Sequence, residues 1–277
     1  MSLAVPLYGF GASGGTGGTL TVTAPANVTV TISKDGKTKT KNSGTSGVVV
    51  FKGLASGTWT VTITSDGKTA QKNIVVTTDY STAISFSTIP EFTYTGDYEI
   101  VNDSDEPITV SQGNWKIRFL TSGTLTFTNL NGAEGGIDVF LVGGGGNSGT
   151  GGELTDGGSG GGAYNVKNYN VQVNTNTTYP ITVGAGSGKT SAFGYTAKAG
   201  ETGKSNLGDI NEYKPVDRTT YEFNATTGNK YGQAGRTGSG NAAANTGNGG
   251  GGIKNANGKH STGGSGIVIV RNARGAA

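Results

Sequence analysis

Between Ile137 and Gly146 the chain reads I-D-V-F-L-V-G-G-G-G, a continuous apolar run that passes directly into four glycines. The same trade occurs in reverse at Gly263–Arg271, G-G-S-G-I-V-I-V-R. Short apolar runs of this kind predict buried strands. The two bracket a region holding 33 glycines from Gly143 to Gly266, and they are expected to be the two walls of one domain. Glycine loses more backbone freedom on ordering than any other residue, so a region this rich in it needs a physical reason to fold. Polyproline-II helices supply one: they have three residues per turn, rise about 3.1 Å per residue and have no internal hydrogen bonds. Only glycine lets several such segments pack closely enough to bond through their backbones, and every buried donor must find a partner. The clusters Gly143–Gly146, Gly151-Gly152, Gly157-Gly158, Gly160–Gly162, Gly249–Gly252 and Gly263-Gly264 are therefore expected to stack as a polyglycine-II core. Tight turns between strands are the alternative that the sequence leaves open. Strands are predicted between the clusters at 163–166, 170–173 and 179–183.

Upstream, the pattern is that of half-buried strands. Val28, Val30 and Ile32 alternate with threonines, as do Trp59, Val61 and Ile63. Asp35-Gly36 and Asp66-Gly67 sit between alternating runs, the hairpin signal of a type I′ turn. With Val48–Phe51, Ile74–Val76 and Ala83–Phe86, about seven short strands with closely spaced turns predict a β-sandwich over residues 19–87. Residues 1–18 are expected to be a flexible or docking leader, Pro90 punctuates a boundary at 87–91, and the glycine-rich domain spans 91–272. Trp115–Phe119 and Thr124–Phe127 are expected to pair as a hairpin around Ser122-Gly123. No stretch has a convincing 3.6-residue period, so the fold class is all-β. Leu, Ile, Val and Phe make up just under a fifth of the chain, but the net charge is only +3 and the apolar residues fall in clean runs. That combination predicts a folded chain with a thin core.

Little in the sequence points to chemistry, and the protein is not expected to be an enzyme. Cysteine is absent, which excludes disulfides and thiol chemistry. A single histidine, His260, with no cysteine makes a histidine-based metal site or a catalytic triad implausible; no metal and no cofactor are expected. Gly184–Thr190, G-A-G-S-G-K-T, imitates a phosphate loop but has Val183 where the motif needs glycine, and no helix follows. Asn102–Glu106 could hold a hard cation, but it lacks the glycine and terminal glutamate of a calcium loop, and a solvated turn is the simpler reading. Glu153, Asp156, Asp209, Glu212, Asp217 and Glu222 could in principle pair for glycoside hydrolysis, yet nothing positions them. Lys37, Lys39 and Lys41 share one strand face; without interleaved aromatics they predict a protected edge strand and not a nucleic-acid surface. No basic leader with an apolar core is present, so no signal peptide is expected, and no run is long enough to insert into a membrane. The binding candidate is the insertion Ser205–Tyr231, with Asn211, Tyr213, Asp217, Arg218, Tyr221, Phe223, Asn224 and Tyr231. Tyrosines combine an apolar face with a polar tip, which suits carbohydrate and protein surfaces. The competing reading packs Tyr221 and Phe223 on a neighbouring subunit.

Two resemblances sharpen these expectations. V-V-V-F-K-G-L at 48–54 followed by G-T-W-T-V-T-I at 57–63 resembles the prealbumin-like sandwiches of carboxypeptidase-regulatory-like and PEGA-type repeats, which are mostly spacer or display modules. The series I-D-V-F-L-V-G-G-G-G, G-G-S-G-G-G-A-Y, Y-P-I-T-V-G-A-G-S-G, S-A-F-G and G-G-S-G-I-V-I-V-R resembles the glycine-rich domain of bacteriophage tail and fibre proteins. The opening M-S-L-A-V-P-L-Y-G-F-G is similar to that of phage minor tail proteins. The dense-glycine pattern is interrupted at Ser205–Tyr231, which holds only Gly208 and Gly228. The resemblance implies a virion location, virion proteins and a host-surface glycan or protein as partners, no nucleic acid, and a homo-oligomer, with a trimer favoured. Its rival is a purely structural capsid-decoration or tail-assembly protein.

Overall fold

The computed structural model describes residues 17–109, 111, 113–131, 133, 135–205, 213–254 and 256–274. Residues 1–16 of the expected leader lie outside these. The protein is all-β, with a short 3-10 turn at Glu222–Asn224 among the described residues. Two compact units meet between Phe86 and Ser87.

The first unit holds β1 (Gly18–Thr23), β2 (Thr29–Lys34), β3 (Lys37–Asn42), β4 (Val48–Leu54), β5 (Gly57–Ser65), β6 (Lys68–Val76) and β7 (Tyr80–Ala83). They form two sheets, β4-β1-β7 and β3-β2-β5-β6. One face of each sheet is apolar, and Leu20, Val22 and Phe51 meet Val30, Ile32, Val61 and Ile63 in a shared core. Both hairpins take the conformation that Asp-Gly favours: φ is 49° and 74° at Asp35 and Gly36, and 48° and 76° at Asp66 and Gly67. The lysine-rich β3 is an edge strand, exposed along its whole length. Its ammonium groups have work of their own: Lys41 Nζ donates to Val50 O at 2.7 Å and Lys39 Nζ to Lys52 O at 3.0 Å. Val50 and Lys52 lie on β4, the edge of the other sheet, so alternate lysines cap carbonyls that an incoming strand would otherwise use.

The second unit holds β8 (Glu91–Tyr94), β9 (Tyr98–Val101), β10 (Lys116–Phe119), β11 (Gly123–Asn129), β12 (Ile137–Val142), β13 (Asn165–Val171), β14 (Thr178–Ile181), β15 (Thr190–Ala192), β16 (Tyr195–Ala197) and β17 (Ile267–Asn272). Its main sheet has the order β13-β12-β17-β10-β9, and β14-β11-β8 forms a second. The two apolar strands that bracket the glycine region are neighbours, not opposite walls: β12 and β17 pair antiparallel from Ile137↔Asn272 to Val142↔Ile267. Their continuous apolar character has a simple cause, because both faces of the sheet are covered. Ile137, Val139, Leu141, Val268 and Val270 point into one core, while Phe140, Val142, Ile267 and Ile269 point into another. The hairpin expected around Ser122-Gly123 does not form. β10 pairs with β17 and β9, whereas β11 pairs with β14 and β8, so the chain crosses between sheets there. The segments predicted at 163–166 and 170–173 merge into the single strand β13. The boundary residue Ile89 is buried in the core of the second unit, and Asn131 Nδ2 donates to its carbonyl at 3.1 Å.

Beyond β12 the glycine runs form a backbone-bonded bundle with a repeat of three. Gly143, Gly146 and Gly149 donate to Tyr164, Gly161 and Gly158 in turn. Gly144 donates to Gly188, while Gly145 and Ser148 donate to Gly264 and Ser261. Residues three apart thus face the same neighbour, as a threefold helix requires. The return segment repeats the rule: Gly157, Gly160 and Ala163 bond to Ile253, Gly250 and Gly247, while Gly158, Gly161 and Tyr164 bond to Lys204, Glu201 and Lys198. Carbonyls are used in the same rhythm, with Gly144 O and Asn147 O accepting from Gly200 and Gly203. The bundle explains glycine by proximity and not by unusual φ. A Cβ on Gly145, Gly160 or Gly263 would overlap the carbonyl oxygen of Asn248, Gly146 or Gly145. Gly249, Gly250, Gly251 and Gly252 donate to Gln233 O, Gly146 O, Gly240 O and Ser159 Oγ. Their amides are expected to exchange with deuterium at least about a hundredfold more slowly than the exposed Gly36 turn, read by NMR at neutral pH. Equal rates would contradict the bundle.

Candidate functional site

The hydrogen-bond register fixes what each end of the bundle carries. At the sheet end, Gly143 meets Tyr164, Tyr164 meets Lys198, and Ala163 meets Gly247. At the far end, Gly149 meets Gly158, Gly158 meets Lys204, Gly157 meets Ile253, and Ser148 meets Ser261. Six residue steps at about 3.1 Å place the two ends about 19 Å apart. The connections at the far end are therefore residues 150–156 and the loop joining Ile253 to Ser261. These two loops bind each other, with Ala256, Asn257 and Gly258 donating to Thr155 O, Gly152 O and Gly151 O. The tip they form exposes Glu153, Leu154, Lys254, Lys259 and His260, and Leu154 is 87% exposed. Sequence reasoning missed this tip because it sought tyrosines. The available signal was the pairing of glycine clusters on both sides of each loop.

The insertion that carried the sequence-based binding residues is divided between surface and core. Asn211 lies outside the described residues. Tyr213 and Asp217 line a lateral groove beside the bundle. Asp217 is held below the ordinary carboxylate range, first by the Thr219 hydroxyl at 2.7 Å and also by the backbone N–H of Ala234. Burial, with Glu201 nearby, raises the Tyr213 phenol. Arg218 is a clamp: its guanidinium stacks 3.9 Å from the Tyr164 ring centroid, and it donates to Gly162 O and Glu201 Oε1, each at 2.9 Å. Tyr221 is half-buried and precedes the 3-10 turn. Phe223 and Tyr231 are corrections to the expected ligand face. Both are buried in the core of their own chain, their rings 5.7 Å and 5.5 Å from that of Phe140. Asn224, by contrast, is exposed and accepts from Lys167 Nζ at 2.8 Å.

Glu222 anchors the insertion. It receives Lys116 Nζ at 2.8 Å, Arg118 Nη2 at 2.7 Å and the Tyr231 hydroxyl at 2.8 Å. Asp105 joins the same two cations, and Glu99 pairs with Arg118 at 3.2 Å. Burial and the Glu222 charge push the Tyr231 phenol far above its ordinary value, so it serves as a hydrogen-bond donor. The acidic stretch 102–106 is committed likewise, with Asp103 paired to Arg274 at 2.8 Å. Among the described residues no group of His, Cys, Asp or Glu is arranged to hold a metal ion. The phosphate-loop mimic spends its donors inside the bundle: Ser187 N bonds to Gly145 O, and Gly184 N bonds to Thr190 Oγ1.

No family model and no curated protein matches the sequence. A solved structure, that of a DUF3823 family protein from Bacteroides ovatus ATCC 8483, is similar over 69% of this chain and 99% of its own, at 13% identity and a TM-score of 0.22.

Proposed function

We propose that the protein is a structural component of a bacteriophage virion, a tail fibre or minor tail protein that displays loops for non-covalent recognition of a host surface. The observation that carries this reading is the backbone-bonded glycine bundle, which holds two mutually bonded loops about 19 Å beyond the end of β12. A rigid scaffold presenting loops is the usual way to build a recognition surface. This scaffold is held by backbone hydrogen bonds and contains no disulfide. In this reading the sandwich is a spacer or docking module, the partners are other virion proteins and a host glycan or protein, and subunits assemble as a homo-oligomer, with a trimer favoured. No cofactor takes part.

The test uses the purified full chain against a panel of bacterial cell envelopes, beside a variant with Glu153–Thr155 and Lys254 replaced by glycine and serine. Binding to some envelope that the variant loses supports recognition through the tip. Binding that survives in the variant assigns recognition to another face. Absence of envelope binding, together with tight capture of virion components, assigns the protein to capsid decoration or tail assembly.

A further inference from the structure

The lateral groove has a volume of about 640 Å3 and a mostly polar lining. It lies beside the glycine bundle, with Gly235 and Gly249 in its lining. Tyr213, Lys214 and Arg236 contribute to its lining, and the Lys204 ammonium sits 5.5 Å from the Tyr213 ring centroid. Lys214 and Arg236 are exposed, and their side chains form no ion pair or hydrogen bond among the described residues. The one carboxylate of the lining is Asp217, whose Oδ1 accepts from Thr219 and Ala234. With Lys214 and Arg236 against this single carboxylate, the lining carries a net positive charge.

The bundle also sorts the neutral groups. Asn248 Oδ1 accepts from Gln233 N at 2.9 Å, and Asn241 Oδ1 accepts from Thr262 N at 2.9 Å. Each amide oxygen is consumed by the backbone, which leaves the corresponding NH2 group as the one free to serve a ligand. The groove thus offers N–H donors, two cations and a tyrosine ring beside a single carboxylate. That set complements a molecule rich in anionic and hydroxyl oxygens with an apolar ring face.

We propose that this groove binds an anionic carbohydrate, with a sugar ring against Tyr213 and a carboxylate or phosphate held by Arg236 and Lys214. The assignment goes beyond the virion reading and stands whether or not that reading holds, since it rests on the donor set alone. A neutral glycan would leave the net positive charge of the lining unmatched. A nucleic acid is disfavoured because only one aromatic ring lines the groove, too few to stack successive bases.

Calorimetric titration of the full chain in about 50 mM salt tests the proposal with three probes: a galacturonic acid hexamer, a phosphodiester-linked mannose hexamer and maltohexaose. At least one anionic probe is expected to bind about tenfold or more tightly than maltohexaose. Arg236→Ala and Lys214→Ala should each weaken that binding about fivefold or more, and Tyr213→Ala comparably. Lys68→Ala with Lys72→Ala, on the sandwich, should leave it unchanged. The preferred anionic probe then identifies carboxylate or phosphate as the recognised group. Failure of both anionic probes to bind overturns the proposal. So does equal binding of maltohexaose, or loss of affinity in the sandwich variant but not in Arg236→Ala.

Discussion

Gly144→Ala is expected to destabilise the glycine-rich unit by about 4 kcal/mol or more, while Gly161→Ala in the same bundle should cost under about 1 kcal/mol. Both glycines are buried, and neither has positive φ. Helix or strand propensity therefore does not separate them. Neighbouring backbone does. A Cβ on Gly144 would overlap the Ala185 carbonyl oxygen and stand 2.8 Å from its carbon, so whole segments would have to move apart. Separation would break the Gly144–Gly188 and Gly200–Gly144 bonds together, leaving buried donors unmet. A Cβ on Gly161 meets nothing closer than 3.4 Å, an ordinary contact. Gly36→Ala supplies the contrasting mechanism: its φ is 74° and nothing lies within 4 Å of its Cβ, so only the left-handed backbone penalises it, by about 1 kcal/mol. Trp115 is fully buried in the second unit and Trp59 lies in the first. Urea unfolding followed by Trp115 fluorescence in a Trp59→Phe background reads the first two substitutions in the correct unit. Equal losses for Gly144→Ala and Gly161→Ala would mean that the segments are not packed at backbone contact.

The parts of this fold legible in the sequence are those set by local chemistry. Asp35-Gly36 and Asp66-Gly67 announce their turns because few other residues accept left-handed φ in succession. The sandwich strands announce their alternation because one face of each meets a single core. β12 and β17 were legible as buried strands, but not as partners, since register between residues more than a hundred positions apart leaves no local trace. Ser122-Gly123 misled for the same reason: it resembles a hairpin turn, yet the fully buried β10 is claimed by strands on both sides. The glycine region was legible as a composition problem with two solutions, stacked segments or tight turns; the rule of three emerges only when donors and acceptors are matched. At the insertion, tyrosine content could not sort surface residues from core ones. Tyr213 lines the groove, whereas Tyr231 is drawn inward by Glu222, whose cations come from β10 more than a hundred residues earlier.

The same inward pull yields the second large expected effect. Glu222→Ala should destabilise the glycine-rich unit by about 3–5 kcal/mol, because removing one member of a buried ion cluster strands the others. Lys116 and Arg118 are only 7% and 6% exposed, so water cannot replace the lost carboxylate. Asp105 and Glu99 remain, but Arg118 Nε already lacks a partner, and the Tyr231 hydroxyl would lose its acceptor. Glu222→Gln keeps the shape and one acceptor while removing the charge, so it should fall between the wild type and Glu222→Ala. The damage is expected to begin locally. Phe223 is seated between Phe140 and the Arg271 guanidinium, 4.2 Å from its ring, and the Glu222 contacts hold that turn in place. Amides of Thr220 and Tyr231, which bond to each other across the insertion, should lose exchange protection while those of β12 and β17 keep theirs. A double-mutant cycle with Arg118→Ala then decides whether the charges act as one unit. Coupling of more than about 1 kcal/mol is expected for groups in direct contact, and additivity within about 0.5 kcal/mol would show that the insertion is held by its aromatic contacts alone.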